Sequence, residues 1–394
     1  MRKSVVLGAL VLSVALLGAA AEGSVPATSP GAGDGLDRFR SQAVNWTRCR
    51  DASLAASGTE CARITVPLDY GRPRGRTIEV AVSRIASTDA ARRRGILLTN
   101  PGGPAARGLG LPRDLRTVMG PAVTAAYDVV GMDTRGLGES TPVDCGLTRS
   151  TWLLHAPGPD RAGFEESVRR SRADARSCWE RAADVLPHLS TRNIARDVDV
   201  VRGALGERRT SWFGQSYGAF LGASYAQMFP DRVDRLVLDS APDPAEYPFR
   251  MVRRQGLANE RALDDFAAWV APRHRTYGLG ATPAAVRTRA AQPVFGPMTH
   301  APFPCAFWAE EPREPRTVID NGVPALQIQA TGDPRTTYRS GLRMHRALRA
   351  SRLVTVPARA HTVYASRPND CVRRTVNTYL VHGTLPARDT VCRD

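Results

Sequence analysis

The sequence predicts an α/β protein with a mostly parallel central sheet. Short apolar runs of strand length recur along the chain, at Ile96 to Thr99, Tyr127 to Met132, Thr210 to Phe213, Arg235 to Asp239, Ala325 to Ala330 and Leu353 to Val356. Stretches with helical spacing alternate with them, such as Ile194, Val198, Val201 and Leu205, which end at Gly206. That alternation is what parallel strands joined by crossover helices require. The rhythm breaks between Ser240 and Pro324, where helix-like stretches such as Leu257 to Val270 are separated by proline and glycine. A structureless loop of that length is unusual, so a short helical cap inserted into the sheet is expected there.

Taken in order, the chain begins with Arg2 and Lys3, an apolar run from Val5 to Ala21, and small residues Ala19 to Ala21 just before Glu22. This is the layout of a secretory signal peptide, too short for a comfortable bilayer span. The expected organisation is a signal peptide over 1–21, a flexible leader over 22–45, a first core segment over 46–239, a cap over 240–323 and a second core segment over 324–394. Export to the extracellular space or the cell wall follows, with no stable membrane insertion. Arg63 to Val66 and Ile78, Val80 and Val82 read as two strands around a turn punctuated by Gly71 and Gly75. A polar stretch from Asp160 to Ala183 has helical spacing.

Charge and cysteine usage narrow the function. The chain carries 54 Lys+Arg against 38 Asp+Glu, and Lys3 is its only lysine. The arginine excess is scattered rather than gathered into a patch, and no nucleic-acid-binding module is present, so no nucleic-acid partner is expected. There are seven cysteines and no C-x-x-C pair, nor an H-E-x-x-H helix, so neither a metal nor a cofactor is expected. Six paired cysteines allow many connectivities. Proximity favours Cys49–Cys61, Cys145–Cys178 and Cys371–Cys392, with Cys305 left as a buried free thiol.

The chemistry is concentrated at Gly214-Gln215-Ser216-Tyr217-Gly218. The motif lies between an expected strand and an expected helix, Ala219 to Met228, which is the setting of the nucleophile elbow of the α/β-hydrolase fold. Its flanking glycines permit a turn tight enough to lift the Ser216 hydroxyl above the sheet. A serine nucleophile needs a base, and the base an orienting acid; on this fold they follow in the order acid, histidine. Asp333 and His361 each lie just beyond an expected strand end and fill those roles. Asp239 closes a strand and is the rival acid, read here as structural; Asp243 is a weaker rival, and His345 falls inside an expected helix. An oxyanion hole needs two backbone donors. Asn100-Pro101-Gly102-Gly103-Pro104 supplies one, and because proline has no N–H the expected donors are the amides of Gly103 and Tyr217.

Several segments together resemble the secreted tripeptidyl aminopeptidase group of the proline iminopeptidase-like α/β-hydrolases, serine peptidases of actinomycetes. They are Val66 to Tyr70, Asn100 to Pro104, Asp128 to Gly136 continuing through Gly138 and Ser140 to Cys145, Trp212 to Gly218, Gly332-Asp333, Ala360-His361, and the tail from Tyr379 through Gly383-Thr384-Leu385-Pro386 to Cys392. The resemblance implies release of residues or short peptides from a free N-terminus, with acidic cap groups holding the substrate ammonium; Glu246 and Glu260 are the candidates. Two departures stand out. The oxyanion loop continues as Ala105-Ala106-Arg107-Gly108 where the group carries further small residues, and the cap is short, leaving Cys305 without an obvious mate. The leading expectation is therefore a secreted serine exopeptidase. The alternatives are a secreted esterase or amidase with the same triad, acting on a small ester or amide, and a catalytically weakened binding homologue. Oligomeric state stays open.

Overall fold

The computed structural model describes residues 35–147, 160–290, 307 and 313–393. The signal segment and the first part of the leader, like Cys305, lie outside the described residues. Ten strands form one sheet: β1 (Thr47–Arg48), β2 (Glu60–Pro67), β3 (Thr77–Ile85), β4 (Gly95–Asn100), β5 (Tyr127–Met132), β6 (Thr210–Gln215), β7 (Val233–Asp239), β8 (Ala325–Ala330), β9 (Ser351–Val356) and β10 (Thr390–Val391). Their order is β1-β2-β3-β5-β4-β6-β7-β8-β9-β10. The first hairpin is antiparallel and β3 pairs antiparallel with β5; from β5 through β10 every pairing is parallel. This is the α/β-hydrolase fold that the alternation of elements predicts.

The strands are apolar on both faces because both are covered. Successive side chains point to opposite sides. On β6, Trp212 enters one core and Phe213 the other; on β7, Leu236 and Leu238 enter the first and Val237 the second. The first core takes Ile194, Val198 and Val201 from the helix Thr191–Ala204 and Phe220 and Ala223 from the helix Tyr217–Met228. The second takes Val372, Val376 and Leu380 from the C-terminal helix Asp370–His382. Burial of each such large apolar side chain contributes about 1.5–3 kcal/mol. The crossover helices are capped in sequence-legible ways: Ser190 accepts from Asn193 N–H, and Asn369 from Val372 N–H.

The stretch Asp133 to Ser140, part of the long segment that resembles the aminopeptidase group, serves the frame. The Arg135 side chain is fully buried and pairs with Asp197, while donating to the carbonyls of Pro67, Leu68 and His188. Tyr70 Oη donates to the same Asp197 at 2.7 Å. Asp133 accepts from Gly108 N–H at 2.7 Å and Glu139 N–H at 2.9 Å, so it pins the far end of the loop that follows β4.

Two expectations shift. Residues 35–45 of the expected flexible leader are packed: Asp37–Arg40 is helical, Phe39 is 3% exposed, and the Gln42 amide bonds both backbone groups of Thr65. One buried phenylalanine leaves no periodicity to read. The cap helix expected from Leu257 begins at Phe249, because its first turns are arginine-rich and interrupted by Gly256. The edge strands β1 and β10 are too short for any alternation to show. The cysteines form Cys49–Cys61, Cys145–Cys178 and Cys371–Cys392.

Candidate functional site

Ser216 sits between β6 and the helix Tyr217–Met228 with φ 55° and ψ −119°. A left-handed backbone is costly for a residue with a side chain and persists only where its surroundings enforce it. Here the enforcement is visible. A Cβ on Gly214 would lie 2.1 Å from the Gly218 carbonyl oxygen, and one on Gly218 would lie 2.3 Å from that of Asn100. Ser216 N–H donates to the Asp239 carbonyl at 2.8 Å, tying the turn to the neighbouring strand β7. The Trp212 indole N–H donates to the Gly218 carbonyl at 3.1 Å, and its ring lies where a Cβ on Gly222 would stand.

Asp333 and His361 come from the ends of β8 and β9 and meet. His361 Nδ1 is 2.9 Å from Asp333 Oδ2 and 3.1 Å from Oδ1. The Asp333 carboxylate is buried and otherwise saturated: Oδ1 accepts from the amides of Arg335 and Thr336, and Oδ2 from the Thr336 hydroxyl at 2.7 Å. That donor set fixes the carboxylate in orientation. With Nδ1–H donated to the carboxylate, the lone pair of His361 is on Nε2. Among the described residues no hydrogen bond joins Ser216 Oγ to His361, a contact that commonly tightens only when substrate is bound.

The loop after β4 lies against the serine turn. At Gly102, φ is 97° and a Cβ would meet the Gln215 carbonyl at 2.5 Å and Ser216 Cβ at 2.9 Å. Gly102 N–H is engaged by Asn100 Oδ1 at 2.9 Å. The next amide, that of Gly103, and the amide of Tyr217 at the first helical position have no protein acceptor among the described residues. These are the two donors the sequence singles out. The need for glycine at 102, as the surface on which the serine turn rests, is a feature that sequence reasoning missed. The run Gly102-Gly103 was the available signal. Arg107 is exposed at the mouth of this loop.

The remaining candidates separate cleanly. Glu246 is 7% exposed, and its carboxylate is bound by Arg254 and Arg343. The Arg254 guanidinium, and Arg343 beyond it, hold this carboxyl below the usual glutamate range. Glu260 pairs with Arg287 at 2.7 Å. Both acids expected to receive a substrate ammonium are thus already neutralised by arginines, which the one-dimensional spacing of the cap does not disclose. Asp243 pairs with Arg343 at 2.9 Å, and His345 bridges Ser351 and Asp389 on the opposite side of its helix. Asp239 is completely buried and binds backbone amides rather than the His361 ring.

Comparison with known proteins finds relatives among peptidases and esterases. A family model described as TAP-like protein matches residues 292–392. Tripeptidyl aminopeptidase of Streptomyces lividans is 29% identical over 466 residues, covering 89% of this chain and 86% of that protein. Serine protease Hip1 of Mycobacterium tuberculosis is 33% identical over 251 residues, covering 62% of this chain and 48% of that protein. Carboxylesterase B of the same organism is 33% identical over 237 residues, covering 57% of this chain and 44% of that protein.

Proposed function

We propose that this homologue of the tripeptidyl aminopeptidases, a serine hydrolase of the α/β-hydrolase fold, is an exported exopeptidase that releases N-terminal residues or short peptides through an acyl-enzyme on Ser216. The observation that carries the reading is the strained Ser216 turn beside an Asp333–His361 pair at 2.9 Å, on the ends of strands in one sheet.

In this mechanism His361 Nε2 takes the Ser216 hydroxyl proton as Oγ attacks the scissile carbonyl carbon. The charge that develops on the carbonyl oxygen is met by the amides of Gly103 and Tyr217, whose N–H groups are uncommitted. Collapse of the tetrahedral intermediate breaks the C–N bond, and imidazolium returns the proton to the leaving amine. Water, deprotonated by the same nitrogen, then attacks the acyl carbonyl and frees Ser216. Asp333 holds the ring in the required tautomer and stabilises imidazolium without itself being protonated. Peptide specificity is supported by the names of the aminopeptidase and protease relatives. Recognition of the free amine falls to groups other than Glu246 and Glu260 unless their arginine partners part. A signal peptide over 1–21 with a cap over 240–323 completes the proposal, and three disulfides suit an oxidising compartment. The carboxylesterase relative favours a second reading, hydrolysis of small esters by the same triad.

The test uses the mature chain with free-amine and acetylated tripeptide amides and a short-chain ester. Wild type is expected to form a fluorophosphonate adduct that Ser216→Ala does not, and Ser216→Ala, His361→Ala and Asp333→Asn are expected to lose about 10³-fold or more in kcat. Acetylation is expected to abolish most peptide turnover. Equal turnover of free and blocked peptides, with faster ester cleavage, would overturn the exopeptidase reading in favour of the esterase; adduct formation by Ser216→Ala would overturn the nucleophile.

A further inference from the structure

Ser216 is one of three residues other than glycine with a left-handed backbone among those described; the others are Ser240, at φ 60°, and Thr362, at φ 62°. They come from separate segments but converge on one adjacent pair, Asp239 and Ser240. Asp239, the last residue of β7, is fully buried. Its carbonyl accepts Ser216 N–H at 2.8 Å. Its Oδ1 accepts from Val363 N–H at 3.0 Å and from the Ser240 hydroxyl at 3.0 Å, and its Oδ2 accepts from Tyr364 N–H at 2.8 Å. Ser240 Oγ in turn accepts Thr362 N–H at 2.8 Å, while Ser240 N–H is anchored to the Ile328 carbonyl on β8 at 2.9 Å. The two adjacent residues therefore capture the three consecutive amides that follow His361.

We propose that Asp239 and Ser240 form a bracket that positions His361 against Ser216. It acts through the main chain at both ends: the Asp239 carbonyl fixes the serine turn, and the two side chains fix the backbone that carries the imidazole. The proposal rests on the reading of Ser216 as nucleophile and His361 as base. Neither bracket residue touches substrate or the ring, so both are positioning residues. The chemistry suits the task. A carboxylate offers two oxygens with several lone pairs, enough for two amides and a hydroxyl at a fully buried position, whereas a neutral amide side chain would turn an N–H against one of those donors. Asp239 is not a second acid for His361, since both its oxygens are engaged by Val363, Tyr364 and Ser240, and Nδ1 belongs to Asp333. The strain supports the same conclusion. Ser240 and Thr362 hold positive φ where the bracket closes, and freeing the amides would let Thr362 relax and rotate the preceding His361 away from the serine. Burial pushes the Asp239 carboxyl up, and the amides of Val363 and Tyr364 with the Ser240 hydroxyl draw it back down.

The experiment compares wild type, Asp239→Asn, Ser240→Ala and His361→Ala in the full chain, reading kcat and KM on a free-amine tripeptide amide together with thermal unfolding. A shift of the base by about an ångström is expected to lower kcat about 10²-fold in Asp239→Asn. Ser240→Ala deletes one hydroxyl and is expected to lose about three- to tenfold. With kcat taken per folded protein, counted from the unfolding amplitude, KM in both is expected to stay within about twofold of wild type, a split that loss of substrate binding does not produce. Wild-type kcat in both bracket variants, or a raised KM with kcat unchanged, overturns the proposal. Where Asp239→Asn fails to fold, Ser240→Ala decides alone. Full activity of His361→Ala refutes the triad reading itself, an outcome distinct from an inactive His361→Ala beside two fully active bracket variants.

Discussion

The strand ends of the core and the helical segment between β7 and β8, the proposed cap, are built from the same kinds of residue in opposite ways. At the strand ends, charged groups are withdrawn from water and saturated: Arg135 with Asp197, Asp133 with two amides, Asp333 with three protein donors besides His361. In the cap, acids and arginines pair along and between helices in partial exposure, as in Glu260 and Asp264 with Arg287. Phe266, Trp269 and Tyr277 remain 42%, 47% and 49% exposed while contacting one another. Under the proposed function the contrast would assign rigidity to the chemistry and adaptability to substrate entry. Buried pairs are costly to break, whereas exposed ones contribute little.

Removing one half of a core pair tests this most severely. Asp197→Ala leaves the Arg135 guanidinium buried and uncompensated and takes the acceptor from Tyr70, so denaturant titration is expected to show a loss of about 3–5 kcal/mol. A loss below about 1 kcal/mol, typical of surface pairs, would erase the distinction. Acid sharpens it from the cap side. Because Arg254 and Arg343 hold the Glu246 carboxyl below its usual 4.5, its stabilising contribution is present above that value and is lost as pH falls through the lower folded one. Tryptophan fluorescence is expected to report loosening on that acid limb. Because both arginine partners stay solvated, at 40% and 34% exposure, Glu246→Gln should remove this component and change the neutral Tm by only about 1–3 °C. An acid limb unchanged by the substitution would count against it. The smallest effect is expected where cap and core touch. Arg359 pairs with Asp265 on the cap helix and donates to the Gly332 carbonyl at 3.1 Å. Arg359→Ala is expected to raise KM about twofold and to leave kcat within about twofold, as for an exposed pair. A tenfold fall in kcat would mean that the cap orders the catalytic loops after all.

Much of this was legible before any coordinates. The alternating apolar runs give the central strands, and Gly214 to Gly218 between a strand and a helix gives the elbow. Asp333 and His361 follow from chain order and from their place beyond strand ends. What escaped has a common cause. Asp239 reads as a strand-closing acid, but the amides it holds are 124 and 125 residues away, and no local pattern encodes that distance. Gly102 is required by the approach of the Ser216 turn, a contact between remote segments. The cap acids look available in sequence because the arginines that claim them stand eight, 27 and 97 residues further on.

The two edges of the sheet close in the same way. At one, β1 pairs with β2 through only Thr47 and Arg48, and Cys49 immediately after them is bonded to Cys61. At the other, β10 is only Thr390 and Val391, and Cys392 immediately after them is bonded to Cys371 on the C-terminal helix. Each rim of the sheet thus ends in a two-residue strand held by a covalent staple. Extended peptides bind readily to open sheet edges by adding a strand. A hydrolase acting on peptides would gain from such rims, because a two-residue strand tied by a disulfide is a poor template for an extended chain.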